Sequence, residues 1–251
     1  MTAAPTLGRV RTVLTGPVRP FGSKAVPSGI DKQPRPGPVA VGMAGLDGDA
    51  QGDLRVHGGP DKAVHCYPWS HHAAWREALA GHPAALARLA HPGAFGENLS
   101  LEAGLDEVGA CIGDRWRIGS AEFEVSQGRQ PCWKLNERFG VADMSRRVQD
   151  SGRAGWYLRV LRPGHVAAGD AVVLLARPHA DWPVARLLRA IAERERDPAV
   201  LRDVLALPLP ASWATLFRRR LDSGEVESWQ RRLAGDAAAP PAPPQNVDGA
   251  R

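Results

Sequence analysis

The amino-acid sequence predicts a mainly β domain followed by a small unit of three helices. Between residues 8 and 177 the apolar runs are short and are interrupted by Gly and Pro, which is typical of strands joined by tight turns. After Pro178 the apolar residues instead recur at intervals of three and four, the period of an amphipathic helix. This change predicts a β domain at residues 7–177 and a helical domain at residues 178–234.

The first strands are predicted from two apolar runs near the amino terminus, at residues 8–16 and 39–46. The stretch between them is rich in proline, which cannot donate to a strand ladder. We therefore expect a loop or a sheet edge there rather than a central strand.

A β-hairpin is predicted just before the segment that contains Cys132. Residues 115–119 and 122–126 alternate polar with apolar side chains and are separated by two residues. The second strand of this hairpin leads directly to Cys132. Further along, residues 155–161 and 171–177 are predicted to form a closing pair of strands.

Few helices are expected within the β domain. We predict them at residues 70–79, 84–90 and 144–150. The last of these has Asp143 as its expected N-cap and Gly152 as its expected stop, because short polar side chains favour helix starts and glycine favours helix ends.

The helical domain is predicted to contain helices at residues 182–194, 197–207 and 210–221. Each has a proline near its start, and Asp197 is placed to cap the second. The tail at residues 235–251 has too little apolar surface to offset its ordering entropy, so we expect it to be disordered.

The composition indicates in which compartment the protein is expected and what charge its partners would carry. The 251 residues carry a formal net charge of +5, which favours anionic partners without selecting one. Three cysteines form neither an even disulfide set nor a zinc-site spacing, so reduced thiols in the cytoplasm are expected. No signal peptide or membrane-spanning segment is expected from the apolar pattern.

The sulfur of Cys132 is the most reactive group that the sequence predicts. It lies between Pro131 and Trp133, with Arg129 before it and Lys134 after it. A core cysteine normally has apolar neighbours, because fixed charges resist burial. Cations close to a sulfur favour its thiolate, the form that attacks electrophiles and binds metals. We therefore predict chemistry at this sulfur.

Three other segments are dense in reactive groups. In HGGPDK, His57, Asp61 and Lys62 surround backbone that can approach a ligand closely, although a glycine turn with a solvated Asp-Lys pair fits the same pattern. Asn98 in GEN and Arg153 in SGRAG likewise fit either a binding role or an ordinary loop.

Several function classes lack their motifs. The sequence has no phosphate-binding GxxxxGK[ST] loop, no dinucleotide-binding GxGxxG, no GxSxG elbow and no HExxH helix. The arginines at 218–220 and 231–232 are interspersed with acidic residues and are typical of a solvated helix face. We expect neither nucleic acid nor a membrane as a partner, and pyridoxal phosphate is not expected as a cofactor.

Four segments, taken in order, resemble the MOSC domain and most closely its bacterial YiiM-type branch: GDAQGDLRVHGGPDKAVHCYP, AFGENLS, VSQGRQPCWKLNERF and SGRAGWYLRVLRPGHVAAGD. This fold is shared with the C-terminal part of molybdenum cofactor sulfurases. The resemblance covers residues 7–177, and the segment after Pro178 resembles the three-helix domain that follows MOSC in this branch. It implies a β-barrel-like fold with a few short helices.

The same resemblance implies a site for a molybdopterin-type molybdenum cofactor, with Cys132 as the protein ligand to molybdenum. The other residues that match the family's motifs would contact the cofactor or line its pocket: Lys32, His57, Asp61, Lys62, Asn98, Arg129 and Lys134. Either Lys24 or Lys32 could match the family's lysine motif near the amino terminus.

The implied activity is a detoxifying reduction of small N-hydroxylated compounds, such as hydroxylaminopurines, hydroxylamines and amidoximes, to amines. Cys132 would hold the metal and His57 or Asp61 would deliver protons. A separate flavin or iron–sulfur reductase is expected as the electron donor, because the chain lacks a dinucleotide motif and four closely spaced cysteines. The alternatives are sulfur transfer through a Cys132 persulfide, and a non-catalytic cofactor carrier whose helical unit docks a partner.

Overall fold

The computed structural model describes residues 4–52 and 58–235. The strands, in chain order, are β1 (Thr6–Thr15), β2 (Arg19–Phe21), β3 (Val26–Ser28), β4 (Gln33–Pro34), β5 (Val39–Gly42), β6 (Gly45–Leu46), β7 (Val64–Pro68), β8 (Leu99–Leu101), β9 (Arg115–Ile118), β10 (Ala121–Gly128), β11 (Trp156–Arg162), β12 (Gly164–Val166) and β13 (Ala171–Ala176). The helices are α1 (His71–Ala78), α2 (Pro83–Leu89), α3 (Lys134–Phe139), α4 (Met144–Ser151), α5 (Val184–Ala192), α6 (Pro198–Leu205), α7 (Ala211–Ser223) and α8 (Gln230–Ala234). A 3₁₀ turn spans Pro60–Lys62.

Seven of these strands close into a barrel. Around the ring the order is β1, β13, β9, β10, β11, β7 and β8, and β8 pairs with β1 again. The neighbours in the ring are antiparallel except for β7 and β8, which are parallel. The predicted β-barrel-like fold is therefore confirmed.

The hairpin of β9 and β10 forms as predicted and shows how the barrel core is filled. Trp116 on β9 lies opposite Phe123 on β10, and both are buried, as is Ile118. Arg117, between the two buried β9 residues, is exposed, as the two-residue period of a strand requires. Trp116 meets Trp156 of β11 edge to face, with ring centroids 6.0 Å apart.

Two details of the predicted strands are wrong. Residues 39–46 form not one strand but β5 and β6, which fold back on each other. The turn brings Gly45 so close to Ala63 that an added Cβ would lie 2.5 Å from the carbonyl oxygen of Ala63. The expected closing pair also fails to pair, because β12 carries the chain across to β5, and β11 and β13 take up separate places in the ring.

Helix α3, which begins two residues after Cys132, is not predicted from the sequence. Leu135 and Phe139 are buried one turn apart, and Gly140 ends the helix with a positive φ of 65°. Six residues are too few for a helical period to stand out among the flanking polar residues.

Helix α4 spans the predicted residues, and Gly152 ends it with a positive φ of 69°. Asp143 is the N-cap residue, as predicted, but its carboxylate accepts a hydrogen bond from Arg147 Nε at 2.8 Å and none from a helix amide.

Helices α5, α6 and α7 confirm the three helices predicted after Pro178. Asp197 caps α6 as predicted, since its Oδ1 accepts a hydrogen bond from the Ala199 amide at 2.7 Å. Leu188 of α5 packs against β10 so closely that a Cβ on Gly128 would lie 2.6 Å from the leucine Cδ2. Helix α5 is therefore in direct contact with the barrel.

Helix α8 is an additional short helix that the sequence does not predict, and it packs against α4. The predicted domain limits, 7–177 and 178–234, remain predictions, and residues 236–251 of the predicted tail lie outside the described residues. Across residues 4–52 and 58–235, the helices are too short or too polar to cross a bilayer.

Candidate functional site

Most of the motif residues that the structure describes line one cleft in the barrel wall. Tyr157 of β11 pairs with both His65 of β7 and Gln127 of β10, and Asn98 lies just before β8. The cleft encloses about 650 Å³, counting its open mouth. The polar side chains that line it are Ser28, Lys32, Gln51, Lys62, His65, Asn98, Arg129, Gln130, Cys132, Lys134 and Tyr157.

Cys132 lies half-buried in the wall of this cleft, on the connection from β10 to α3. The connection is fixed at its start, where the Arg129 amide donates to the Gly155 carbonyl at 3.0 Å. It is fixed at its end, where the Leu135 amide donates to the Cys132 carbonyl at 3.0 Å. The sulfur is thus carried by backbone held on both sides.

Arg129 is a buried cation whose hydrogen-bonding capacity is not filled. Burial raises the pKa of the Tyr157 hydroxyl, and the nearby charge of Arg129 opposes this shift. The Nη1 atom of Arg129 is buried and has no hydrogen-bond partner within the described residues. Because buried donors are nearly always paired, this corner of the cleft suits an anionic ligand.

His65 is a cleft residue that the sequence analysis missed. Burial, followed by the nearby Arg129 charge, holds the pKa of His65 well below its usual value, so its imidazole is neutral at neutral pH. Its ring lies 5.0 Å from that of Tyr157, centroid to centroid. One histidine inside an apolar strand such as AVHCYP carries no local sign of a binding role.

Lys32 lines the cleft and forms a buried ion pair with Asp49. Burial lowers the pKa of Lys32, and the charge of Asp49 opposes this shift. Asp49 also accepts the Gly16 amide at 3.1 Å, which fixes the carboxylate on the backbone. Lys24 and Arg153 are exposed and do not line the cleft, so the structure favours Lys32 over Lys24 as the residue near a ligand.

The 3₁₀ turn places Asp61 and Lys62 in different surroundings. Lys62 lines the cleft; burial lowers its pKa, whereas the charges of Asp61 and Cys132 oppose this. The Asp61 carboxylate points away and pairs with Arg159 at 2.8 Å. The proton-delivering role of Asp61 stays a prediction that its position does not favour, and His57 lies outside the described residues.

Asn98 shapes the cleft through the backbone. Its Oδ1 accepts the His65 amide at 3.0 Å and its Nδ2 donates to the Leu14 carbonyl at 3.2 Å. The oxygen and the nitrogen of the Asn98 side-chain amide are therefore both hydrogen-bonded to the backbone of the barrel. Contact of this side chain with a ligand stays a prediction.

Two cations that are distant from Cys132 in sequence also interact with it electrostatically. They are Lys62 and Arg232: burial lowers the pKa of both, and a negative charge on Cys132 opposes this shift. Lys134, the next cation along the chain, donates from its Nζ to the Pro27 carbonyl at 3.2 Å.

Arg232 and Arg220 correct the expectation that the C-terminal arginines form a solvated face. Arg220 is buried and donates two hydrogen bonds to Glu227, at 3.0 and 2.7 Å. Arg232 is partly buried against the Cys132 loop and donates to the Pro131 carbonyl at 2.6 Å. This contact joins residues about a hundred positions apart, so no local pattern predicts it.

Comparison with protein families gives two matches. The MOSC domain matches residues 53–173, and the YiiM-like, 3-alpha helix domain matches residues 182–224. The chain is also similar to the solved structure of YiiM from Escherichia coli, with a TM-score of 0.72 and 31% sequence identity. That similarity covers 87% of this chain and 98% of the YiiM chain.

Three curated relatives show the extent of the similarity. YflK of Bacillus subtilis (strain 168) is 38% identical over 80% of this chain and 88% of its own length. YiiM of Escherichia coli (strain K12) is 35% identical over 89% of this chain and 97% of its own length. A protein of Gibberella moniliformis named a reductase is 36% identical over 79% of this chain but only 34% of its own length.

Proposed function

This chain belongs to the MOSC domain family and carries the YiiM-like three-helix domain, and on that basis we propose that it is a molybdenum-cofactor-dependent oxidoreductase. The proposed substrates are small N-hydroxylated compounds, such as hydroxylaminopurines and hydroxylamines, which are reduced to amines. The similarity to a larger protein named a reductase supports a redox reaction.

One observation carries this proposal: a half-buried thiol and an incompletely paired buried guanidinium line the same cleft. Cys132 supplies a soft sulfur donor, which suits a redox-active transition metal. Arg129 supplies a buried Nη1 without a partner among the residues that the structure describes, and an anionic phosphate would satisfy it. A cofactor that combines a metal with a phosphate fits both groups.

The donor set around these two residues also fits an anionic cofactor. Lys32 and Lys62 bring two further ammonium groups to the cleft wall, and Lys32 forms an ion pair with the buried carboxylate of Asp49. When bound, the cofactor would supply the two-electron chemistry at molybdenum that removes oxygen from nitrogen. Cys132 would hold the metal, and Arg129 and Lys62 would orient the anionic groups.

The chain's own residues also bear on proton supply. Reduction of a hydroxylamine to an amine consumes two electrons and two protons and releases water. His65 is neutral and buried, so it serves better as a fixed wall and hydrogen-bonding group than as a source of protons. Lys62 carries its protons on Nζ in the same cleft as Cys132 and is the better-placed group.

Electrons would come from a separate flavin or iron–sulfur reductase. The sequence holds three cysteines, and two of them, Cys66 and Cys111, are buried away from the cleft. Burial raises the pKa of both of these thiols, which leaves them protonated and inert. Neither is therefore suited to carry electrons toward Cys132.

The decisive experiment is metal and pterin analysis of the full chain purified from a molybdenum-replete host. We expect about one molybdenum and one pterin per wild-type chain and neither in Cys132→Ala. Cys111→Ala, which removes a buried thiol outside the cleft, is the matched control and should retain both. Loaded wild type supplied with a reduced viologen dye should convert hydroxylamino compounds to amines.

The other outcomes of this experiment separate the alternatives. Wild type without stoichiometric molybdenum and pterin would exclude the reductase. Persulfide labelling of Cys132 in metal-free protein would support sulfur transfer instead. Bound cofactor with no turnover under any supplied electron donor would leave a cofactor carrier as the function.

A further inference from the structure

The C-terminal end of the described chain lies directly on the Cys132 loop. The Trp133 amide donates to the backbone carbonyl of Arg232 at 2.7 Å. In return, Arg232 Nη1 donates to the Pro131 carbonyl at 2.6 Å. The residues on both sides of Cys132 are therefore bonded to a single residue of α8.

The same segment also ties together the two helices that follow the loop. Arg232 Nη2 donates to Gln149 Oε1 of α4 at 2.5 Å. The Leu233 carbonyl accepts Asn136 Nδ2 of α3 at 2.9 Å and Ser145 Oγ of α4 at 2.8 Å. Gly235 packs on the indole of Trp133, where an added Cβ would lie 3.3 Å from the ring. Helix α8 thus braces α3, α4 and the loop between β10 and α3.

The helical unit fixes where α8 lies. Arg220 of α7 is buried and donates to both oxygens of Glu227, and its Nη1 donates to the Ala190 carbonyl of α5 at 2.8 Å. Trp229 Nε1 donates to Glu227 Oε1 at 2.8 Å and precedes α8 directly. These hydrogen bonds therefore join α5 and α7 to Trp229, the residue that precedes α8, and the Trp229 carbonyl accepts the Leu233 amide of α8 at 2.8 Å. The contact lies beyond residue 224, where the match to the three-helix domain ends.

Charge supports a role for Arg232 at the cleft. Burial lowers the pKa of Arg232 to about 10, while the charges of Cys132 and Glu227 oppose this, so the guanidinium stays protonated at neutral pH. A guanidinium is suited to bracing a loop because its planar fork makes two directed donations at once.

We propose that Arg232 is a positioning residue that fixes the direction of the Cys132 sulfur, and that the helical unit acts on the cleft through it. The importance of that direction for turnover rests on the proposed reductase function, since misplacing a reacting group by about 1 Å can cost roughly a hundredfold in rate. The bracing of the loop does not depend on the cofactor.

Hydrogen exchange of the cofactor-free full chain tests the bracing first. Arg232→Ala should raise the exchange rate of the Trp133 and Leu135 amides roughly tenfold or more, because the loop loses a charged hydrogen bond. Arg232→Lys keeps a cation and one donor and should restore part of the protection. Arg218→Ala removes an exposed arginine of α7 and should match wild type.

Turnover of the loaded enzyme provides the second measurement. In Arg232→Ala we expect kcat per bound molybdenum to fall roughly ten- to a hundredfold while KM changes less than about threefold, with partial rescue in Arg232→Lys. A merely structural role would instead lower cofactor content and melting temperature together and leave kcat per bound molybdenum unchanged.

Wild-type exchange rates in both Arg232 variants, or an unchanged kcat per bound molybdenum in Arg232→Ala, would overturn the positioning role. If wild type binds no molybdenum, the reductase proposal fails, whereas the exchange measurement still decides whether Arg232 braces the loop. The two failures are thus distinguishable.

Discussion

Asn98 accepts the backbone amide of His65 on its Oδ1 at 3.0 Å, and its Nδ2 donates to the Leu14 carbonyl on the opposite side of β8. One buried side chain therefore joins β7 to β1 at the level of the cleft. The amide fits this position because it carries one donor end and one acceptor end.

Replacing Asn98 with alanine is expected to destabilise the fold by about 2–4 kcal/mol, since the His65 amide and the Leu14 carbonyl both lose a buried partner. Urea unfolding measures this loss. Ser100→Ala, two residues further along on β8, is the matched control, because its buried hydroxyl has no hydrogen-bond partner among the described residues. A similar loss in both variants would contradict the bridging role of Asn98.

The buried ion pair of Lys32 and Asp49 should behave as a coupled unit. Lys32→Met leaves a buried carboxylate without its counter-charge and is expected to cost about 3–5 kcal/mol. Asp49→Asn strands the ammonium and should also be costly. The double variant should be more stable than the sum of the two losses predicts, by about 1–3 kcal/mol. Additivity within about 0.5 kcal/mol in a double-mutant cycle would show that the pair is not coupled.

Acid should destabilise the protein through His72. Burial lowers the pKa of His72 to about 4, and its hydrogen bond to the Leu89 carbonyl opposes this shift only in part. In the unfolded chain the His72 imidazole becomes protonated near pH 6.5, whereas in the folded chain it stays neutral until about pH 4. The free energy of unfolding therefore keeps its full His72 contribution above about pH 6.5 and falls as the pH drops toward 4.

Over that pH window the loss attributable to His72 is about 2–3 kcal/mol. His72→Gln keeps a donor for Leu89 and removes the titration, so the difference between its urea midpoints at pH 7 and pH 4.5 should be smaller than in wild type. His65 titrates in both proteins and cancels in this comparison. Equal pH dependence would show that His72 is not the group responsible.

Arg129 should contribute to cofactor retention more than to folding. In cofactor-free protein, Arg129→Met removes a buried charge that is incompletely bonded, so its unfolding free energy should lie within about 1 kcal/mol of wild type. Its molybdenum and pterin content should nevertheless fall at least roughly tenfold. Arg153→Ala, which removes an exposed arginine outside the cleft, should keep full content. Normal loading of Arg129→Met would argue against an anion at Nη1.

The sequence predicted those features whose causes are local. The alternation around Trp116 and Phe123 is sufficient to predict a hairpin, and the helical period after Pro178 is sufficient to predict three helices. Cys132 was found because its flanking residues are unusual for a core cysteine. Each of these signals lies within a dozen residues of the feature it predicts.

The other residues of the site cannot be predicted locally, because they depend on contacts between segments that are distant in sequence. His65 belongs to the cleft because β11 brings Tyr157 beside it, and Arg232 belongs to the Cys132 loop because the helical unit returns the chain to the barrel. Asp61 matched a family motif, yet its carboxylate faces Arg159 from β11, a partner that its own neighbours in sequence do not indicate.

The seven-membered ring of strands has an arithmetic consequence. Strand directions that alternate around a closed circle return to their starting sense only when the number of strands is even, so an odd ring must contain a mismatch. Here the mismatch is the β7–β8 seam, and His65 and Asn98 lie at its edge. The parity of the barrel, and not any single side chain, thus requires such a seam somewhere in the wall, and in this chain the cleft opens beside it.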